Sequence, residues 1–352
     1  MNRFDYIRPA SVQEAVAAAA MPGSTYLAAG TNLLDLMKVG VSRPERVIDI
    51  SRLPGLDRIE WQGDGGVRIG AMVRNSDLAY DQRFARSFPA IAEALLSGAS
   101  AQLRNAATVS GNLMQRTRCA YFQDTASACN RRAPGSGCDA REGENRTMAV
   151  LGFSEHCIAT HPSDFCVPLV AYDAVVEVEG PHGAREIAVD ALHALPGTTP
   201  EQETVLMPGE MIVALRLPAE AADFARNARY LKLRERTSFA FALVSAAVAL
   251  DIDNGVIRNA RIALGGVAAK PWRAREAEAS LKGSPPTDEA FEKAAELALA
   301  EAKPSGDNAF KIELARRLTR RALAFALEGT PNVMPALPAS PFMTNPGASH
   351  VA

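Results

Sequence analysis

Cysteine is scarce in this chain: there are five among 352 residues, all between Cys119 and Cys166. So few, odd in number and crowded into one stretch, they exclude the disulfide framework of a small secreted domain. Long hydrophobic runs are missing too, since no stretch approaches the roughly 18 consecutive apolar residues that a membrane-spanning helix needs. Direct membrane insertion is not expected. The first nine residues carry Arg3, Asp5 and Arg8 where a signal peptide needs an apolar core, so no export signal of the chain's own is expected. Charge of one sign is not in excess either. Thirty-eight Lys and Arg against 40 Asp and Glu leave −2, which gives no global reason to bind nucleic acid or an anionic membrane.

What is present is ordinary globular composition, 47% hydrophobic and 22% charged, in a chain long enough for two or three domains. Ser11-Val-Gln-Glu14 forms a capping box, and the alanines that follow predict a helix from Val12. Pro22-Gly23 ends it. Thr25 to Ala29 then reads as a short buried strand, Gly30 as a tight turn, and Leu33, Leu34, Leu36 and Met37 as a helix start. A strand over residues 46–50, a strand pair around Asp64-Gly65-Gly66 and a helix over residues 76–96 complete an α+β or α/β pattern. Periodicity then fades from Ala101 to His161, and a loop of that length needs a reason to be ordered. Residues 165–178, rich in β-branched side chains, read as strand. A domain border is expected near Pro218 to Arg226, beyond which Asp253-Asn254-Gly255 joins two apolar strands as a hairpin. Three helices follow, near residues 273–281, 288–302 and 308–327, and a flexible tail is expected from residue 331.

Two glycine-bearing elements could carry chemistry. In Ala28-Ala-Gly-Thr-Asn-Leu33, a glycine between strand and helix leaves free amides suited to a pyrophosphate. It is neither G-x-G-x-x-G nor a Gly-Lys-Ser/Thr phosphate loop, so a plain turn also fits the segment taken alone. Thr108-Val-Ser-Gly-Asn-Leu113 offers hydroxyls, a close-approach glycine and a side-chain amide, and two such elements can grip the two halves of one diphosphate.

The cysteines are separated by nine, eight, eighteen and eight residues, with no C-x-x-C, which excludes tight zinc knuckles and ferredoxin-type motifs. Four thiolates on one polar loop can still converge on a cubane. Cys119, Cys129, Cys138 and Cys157 are the candidate ligands, since Cys166 opens the apolar Cys166-Val-Pro-Leu-Val stretch and reads as a small buried hydrophobe. His156 and His161 flank the fourth ligand. From Arg104 to Arg146 seven Arg face four acids, a local surplus of +3 that suits an anionic cluster and a diphosphate. No hydrolytic triad or H-E-x-x-H motif is present.

Together these motifs resemble the FAD-binding subunit of the molybdenum hydroxylase family, which includes xanthine dehydrogenase, carbon monoxide dehydrogenase and aldehyde oxidoreductases. The likeness covers all but the tail. Family members carry an Ala-Gly-Gly-Thr-Asn/Asp-Leu loop and a Thr-x-Gly-Gly-Asn loop on the flavin diphosphate; here Ala29 and Ser110 replace one glycine in each. Asn112 to Cys119, Pro134 to Cys138 and Cys157 to Asp164 resemble the branch of bacterial periplasmic aldehyde oxidoreductases, whose flavin subunit inserts a 4Fe-4S segment.

The resemblance implies a two-part FAD-binding domain (residues 1–222) of PCMH-like α+β fold with an inserted cysteine loop (about 115–160). A smaller α/β C-terminal domain of a sheet plus helices (223–330) and the tail (331–352) follow. It implies FAD held by Tyr26, Leu27, Ala28, Ala29, Gly30, Thr31, Asn32, Leu33 and Leu34, by Thr108, Ser110, Gly111 and Asn112, and by Arg118, with Asp164 at the ring or ribityl region and Ile212 and Lys232 in the isoalloxazine pocket. It further implies a large partner subunit with a molybdenum cofactor, a small one with 2Fe-2S clusters, and an external electron acceptor. Export alongside a partner bearing a twin-arginine signal would make the chain periplasmic; the alternative is the cytoplasm. Competing readings are the flavin subunit of a hydroxybenzoyl-CoA reductase or N-heterocycle hydroxylase, a flavoprotein acting alone, and a zinc-stabilised docking subunit without FAD.

Overall fold

The computed structural model describes residues 1–331, so the expected tail lies outside the described residues apart from Pro331. Three sheets order them in an α+β architecture, as expected. The first joins β1 (Asp5–Ile7), β2 (Ser24–Leu27) and β3 (Arg46–Asp49), all parallel, in the order β1-β3-β2. The crossover from β1 to β2 is the helix Val12–Ala19. Its capping box forms with one change: Ser11 Oγ accepts from the Glu14 amide at 3.2 Å, while Glu14 reaches back to the Ala10 amide instead of that of Ser11. Strand β2 stops at Leu27 and is half-buried, because the cavity described below runs along it.

The second sheet is antiparallel and contains β4 (Ile59–Trp61), β5 (Val67–Gly70), β6 (Val175–Gly180), β7 (Gly183–Ala188) and β8 (Met211–Leu217), in the order β4-β5-β8-β6-β7. Ile69, Val176 and Leu215 share one core with Phe84, Phe88 and Ile91 from the helices above. Those helices are three, Asn75–Tyr80, Gln82–Ser87 and Pro89–Ser97, where the sequence predicted one. The Asp81 carboxylate accepts from the Phe84 amide at 2.7 Å and so starts a new helix, and Pro89 starts the next at a position where its missing N–H is not needed.

Cys166–Ala171 is a helix, not the expected strand. Ser163 Oγ caps it by accepting from the Cys166 amide at 3.2 Å, and Pro168 falls in the first turn, where proline fits. All six residues are buried, and an apolar run hidden on every side carries no period to distinguish the two forms. Residues 101–161 likewise hold short helices, Ala101–Ala106, Val109–Leu113 and Ala120–Gln123, within the stretch read as loop.

The third sheet contains β9 (Ala228–Leu233), β10 (Val244–Asp253), β11 (Val256–Gly265) and β12 (Trp272–Arg273), in the order β12-β11-β10-β9. Asn254 and Gly255 both have positive φ, +48° and +75°, as the predicted two-residue hairpin turn requires. Helices Arg275–Leu281, Asp288–Leu297 and Phe310–Glu328 pack on this sheet. Val150 and Leu151, from the end of the cysteine loop, join the same core. Buried Lys311 donates to the carbonyls of Thr147, Met148 and Gly266 at 2.7–2.8 Å, and Asn308 to those of Met148 and Ala149, so the last helix pins that end of the loop. No helix among the described residues is long and apolar enough to cross a membrane.

Candidate functional site

Two cavities of about 860 and 850 Å³ meet at a shared wall of Thr31, Gly111, Gln115 and Thr160. Each is at the upper end for a small-molecule pocket, and across that wall the two offer room for an extended ligand. Both glycine-bearing elements build it. Gly30 has φ +75°, and a Cβ there would lie 2.8 Å from Leu34 Cδ1. Leu34 and Leu27 therefore back the turn and do not line the cavity. Thr108 proves to be the cap of a helix, its Oγ1 accepting from the Gly111 amide at 3.3 Å, so the second element is a helix start and not an open loop.

Tyr26, Ala28, Ala29, Gly30, Thr31, Asn32, Leu33, Thr108, Ser110, Gly111 and Ile212 line the first cavity. Asn32 Oδ1 accepts from the Arg116 amide at 3.0 Å, but its Nδ2 is buried without a partner. Tyr26 donates to the Gly209 carbonyl at 2.8 Å. Asn112, Arg118, Asp164 and Lys232 line the second cavity. The Lys232 ammonium lies 2.7 Å from Asp164 Oδ2, and the Tyr230 hydroxyl donates to Oδ1 at 2.6 Å. Asn112 Oδ1 accepts from Ser163 Oγ at 2.7 Å. The Arg118 guanidinium stacks 5.0 Å from the Phe241 ring, with Nε unpartnered. Of the two residues expected in one pocket, Ile212 lines the first cavity and Lys232 the second, on either side of the shared wall.

This arrangement fits FAD. Both glycine-bearing elements face the cavities, and the buried Asn32 Nδ2 and Arg118 Nε lack the partners that buried donors require.

Cys119, Cys129, Cys138 and Cys157 line a separate small pocket. The amides of Phe122 and Tyr121 point at Cys119 sulfur, and those of Ala140 and Ile158 at Cys138. Burial pushes the Cys119 thiol up to about 11, with Cys129 and Cys157 adding to the rise. Cys166 is 0% exposed, absent from this pocket, and pushed by burial to about 12. The loop holds its shape through Asn130, which takes the Gly137 amide and donates to the His156 carbonyl, and Arg132, which donates to the carbonyls of Tyr121 and Phe122.

Several site residues escaped sequence reasoning. His193, which no motif marked, lines the first cavity beside His161, read from the sequence only as a neighbour of the fourth cysteine; their ring centroids are 4.3 Å apart, and each has one unpartnered ring nitrogen. Burial holds both well below the ordinary range, His193 at about 4. Arg131 and its partner Glu203 are 72 positions apart, a pairing no local pattern announces.

Fold and site define a protein with two adjoining cavities between two glycine-bearing elements and a pocket of four cysteines beside them. Residues 2–220 match the FAD binding domain in molybdopterin dehydrogenase, and residues 229–326 the CO dehydrogenase flavoprotein C-terminal domain. Over 328 residues the chain is 47% identical to the aldehyde oxidoreductase FAD-binding subunit PaoB of Escherichia coli (strain K12), covering 93% of this chain and 99% of that one. It is 30% identical to the carbon monoxide dehydrogenase medium chain of Hydrogenophaga pseudoflava over 91% of this chain and 96% of that one. A solved structure of the carbon monoxide dehydrogenase from Hydrogenophaga pseudoflava superposes with a TM-score of 0.73 at 30% identity, covering 93% of this chain and 98% of that one. The chain belongs to the FAD-binding subunits of the molybdenum hydroxylase family, and is an oxidoreductase component.

Proposed function

We propose that the chain is the electron-transfer flavin subunit of a heterotrimeric, molybdenum-containing aldehyde oxidoreductase. In this reading it holds FAD and a 4Fe-4S cluster and passes electrons from partner molybdenum and 2Fe-2S centres to an external acceptor. The observation that carries it is the meeting of four cysteines in one pocket, of which Cys119 also borders the cavity of Lys232 and Asp164. The aldehyde, in preference to an N-heterocycle or an aromatic acyl-CoA, rests on the 47% identity to an aldehyde oxidoreductase subunit.

Bound FAD supplies the redox chemistry, exchanging electrons one or two at a time. The chain's residues do the positioning. Gly30 and Gly111 let backbone amides approach the diphosphate, and Asn32 Nδ2 is free to donate to it. Asp164 and the Ser97 carbonyl fix the Lys232 ammonium at the wall of the second cavity, where it favours negative charge on a bound ring. The four thiols suit a cluster better than one zinc ion. Tetrahedral Zn–S bonds of 2.3 Å place sulfurs about 3.8 Å apart, whereas His161, Cys166 and His193 are the one trio of metal-binding side chains among the described residues with donor atoms all within 4.8 Å.

The test is a UV–visible spectrum with iron and zinc analysis on protein purified anaerobically with its neighbouring subunits, repeated for Cys138→Ala. Flavin bands with broad iron–sulfur absorbance near four irons per chain are expected, the iron lost and the flavin kept in the variant. A colourless protein with one zinc would overturn the reading in favour of a docking subunit.

A further inference from the structure

Among the described residues, Arg131 is the side chain that borders both the cysteine pocket and the first cavity. It is 6% exposed. Its Nη2 donates to Cys157 sulfur at 3.6 Å, and its Nη1 lies 3.0 Å from a Glu203 carboxylate oxygen. Glu203 in turn accepts from Arg116 Nε at 2.7 Å, and the Arg116 amide donates to Asn32 in the flavin-side element. The neighbouring Arg132 differs in kind. Its guanidinium is spent on the carbonyls of Tyr121, Phe122 and Ser127, which makes it a clasp for the loop.

A guanidinium against a ligand sulfur, away from water, acts on charge with little screening. Hydrogen bonds to the sulfurs and net charge are the levers by which a protein tunes an iron–sulfur centre. One electron entering or leaving such a centre would make or break no covalent bond. The change that Arg131 meets is one unit of negative charge on the far side of Cys157.

We propose that Arg131, with Glu203 as its counter-ion, sets the reduction potential of the cysteine-bound centre: the cation at Cys157 favours the reduced form, and the carboxylate behind it limits that preference. The proposal rests on the iron–sulfur reading above. Arg131 is a positioning residue, acting on the centre through Cys157. The two partners must then have opposite signs. Removing the cation makes reduction harder, and removing the counter-ion makes it easier.

The experiment is an EPR-monitored redox titration of the purified complex, with iron content and the flavin couple measured on the same samples, for the native protein and for Arg131→Gln, Arg131→Lys and Glu203→Gln. Arg131→Gln is expected to lower the centre's reduction equilibrium at least tenfold, about 59 mV for one electron. Glu203→Gln is expected to shift it the other way, Arg131→Lys to stay near the native value, and the flavin couple to move less than the centre. An iron-loaded Arg131→Gln complex with an unchanged potential overturns the proposal, as do shifts of the same sign in both charge-removing variants. Should Arg131→Gln fail to load iron, Glu203→Gln decides by sign, and an unchanged or lowered potential overturns the proposal. A native complex without iron overturns the iron–sulfur reading itself, and is told apart by the metal analysis alone.

Discussion

Replacing Lys232 with Met tests whether the Lys232–Asp164 pair is what keeps a carboxylate in the wall of the second cavity. The two side chains are 4% and 8% exposed and 2.7 Å apart. Removing one partner of a buried pair typically costs about 3–5 kcal/mol, because the other charge stays behind uncompensated. Here the low end applies, since the Tyr230 hydroxyl still donates to Asp164 and the cavity admits water. The expected loss is about 3 kcal/mol, roughly a hundredfold in the unfolding equilibrium. In Lys232→Met with Asp164→Asn the charge is gone from both sides, and the loss should shrink to about 1 kcal/mol, that of an ordinary hydrogen bond. Urea titration followed by circular dichroism and by flavin fluorescence separates the two consequences. Stability should recover in the double variant, whereas flavin affinity should not, because the cation proposed to face the ring is still missing. Loss in the double variant equal to the sum of the two single losses would refute the reasoning, since uncoupled residues add.

Two further outcomes follow from the site. Gly30→Ala places a side chain at φ +75° and against Leu34, so stability should fall by about 1–2 kcal/mol and FAD content should drop while iron stays, as absorbance and metal analysis will report; unchanged FAD content would show that the turn does not approach the ligand. His193 gives a pH dependence with a definite sign. Burial holds it at about 4, so the unfolded chain takes up a proton below about pH 6.5 that the folded chain refuses. Its contribution is complete above pH 6.5 and declines toward pH 4, by roughly 3 kcal/mol, with His161 acting in the same direction. Urea midpoints at pH 7 and pH 5 should differ less in His193→Gln than in the native chain, and an equal difference would remove His193 burial as the cause.

The sequence announced those features whose chemistry is local. Asn254-Gly255 is legible because both positions need positive φ, and Ser11-Glu14 because the cap and its reciprocal acid lie three residues apart. Cys166 separates from the other cysteines because its neighbours are apolar, and that holds even though its segment is helical. The error there has a physical origin. Periodicity reports which side of an element is wet, and a six-residue helix with no wet side reports nothing. The break between Tyr80 and Gln82 was hidden for the opposite reason, since apolar spacing runs on through Asp81 while the side chain of that one residue restarts the helix. Buried charge pairs were out of reach altogether. Glu93 meets Arg229 from 136 positions away, and Asp164 meets Lys232 from 68, so each looks like an isolated surface residue until the chain folds.

The long cysteine loop raises the question of what offsets the entropy of ordering it, which amounts to about 1–2 kcal/mol per residue of backbone. Its own core is small: Phe122 and Cys129, packed on Leu36 of the helix Leu33–Lys38, on one side, and Ala140, Met148 and Ile158 on the other. The rest of the molecule supplies the remainder. Arg116 and Arg131 converge on Glu203, which tethers the loop to the segment after β7, while Asn308 and Lys311 hold its far end to the last helix. The loop also forms part of both cavity walls, through Arg131 on the first and Cys119 on the second. A bound metal centre would therefore stabilise a loop already pinned at both ends, and its removal should loosen the stretch around Cys129 and Cys138 while leaving the three sheets folded. By the same geometry, what loosens that loop also disturbs the walls of the two cavities proposed to hold the flavin.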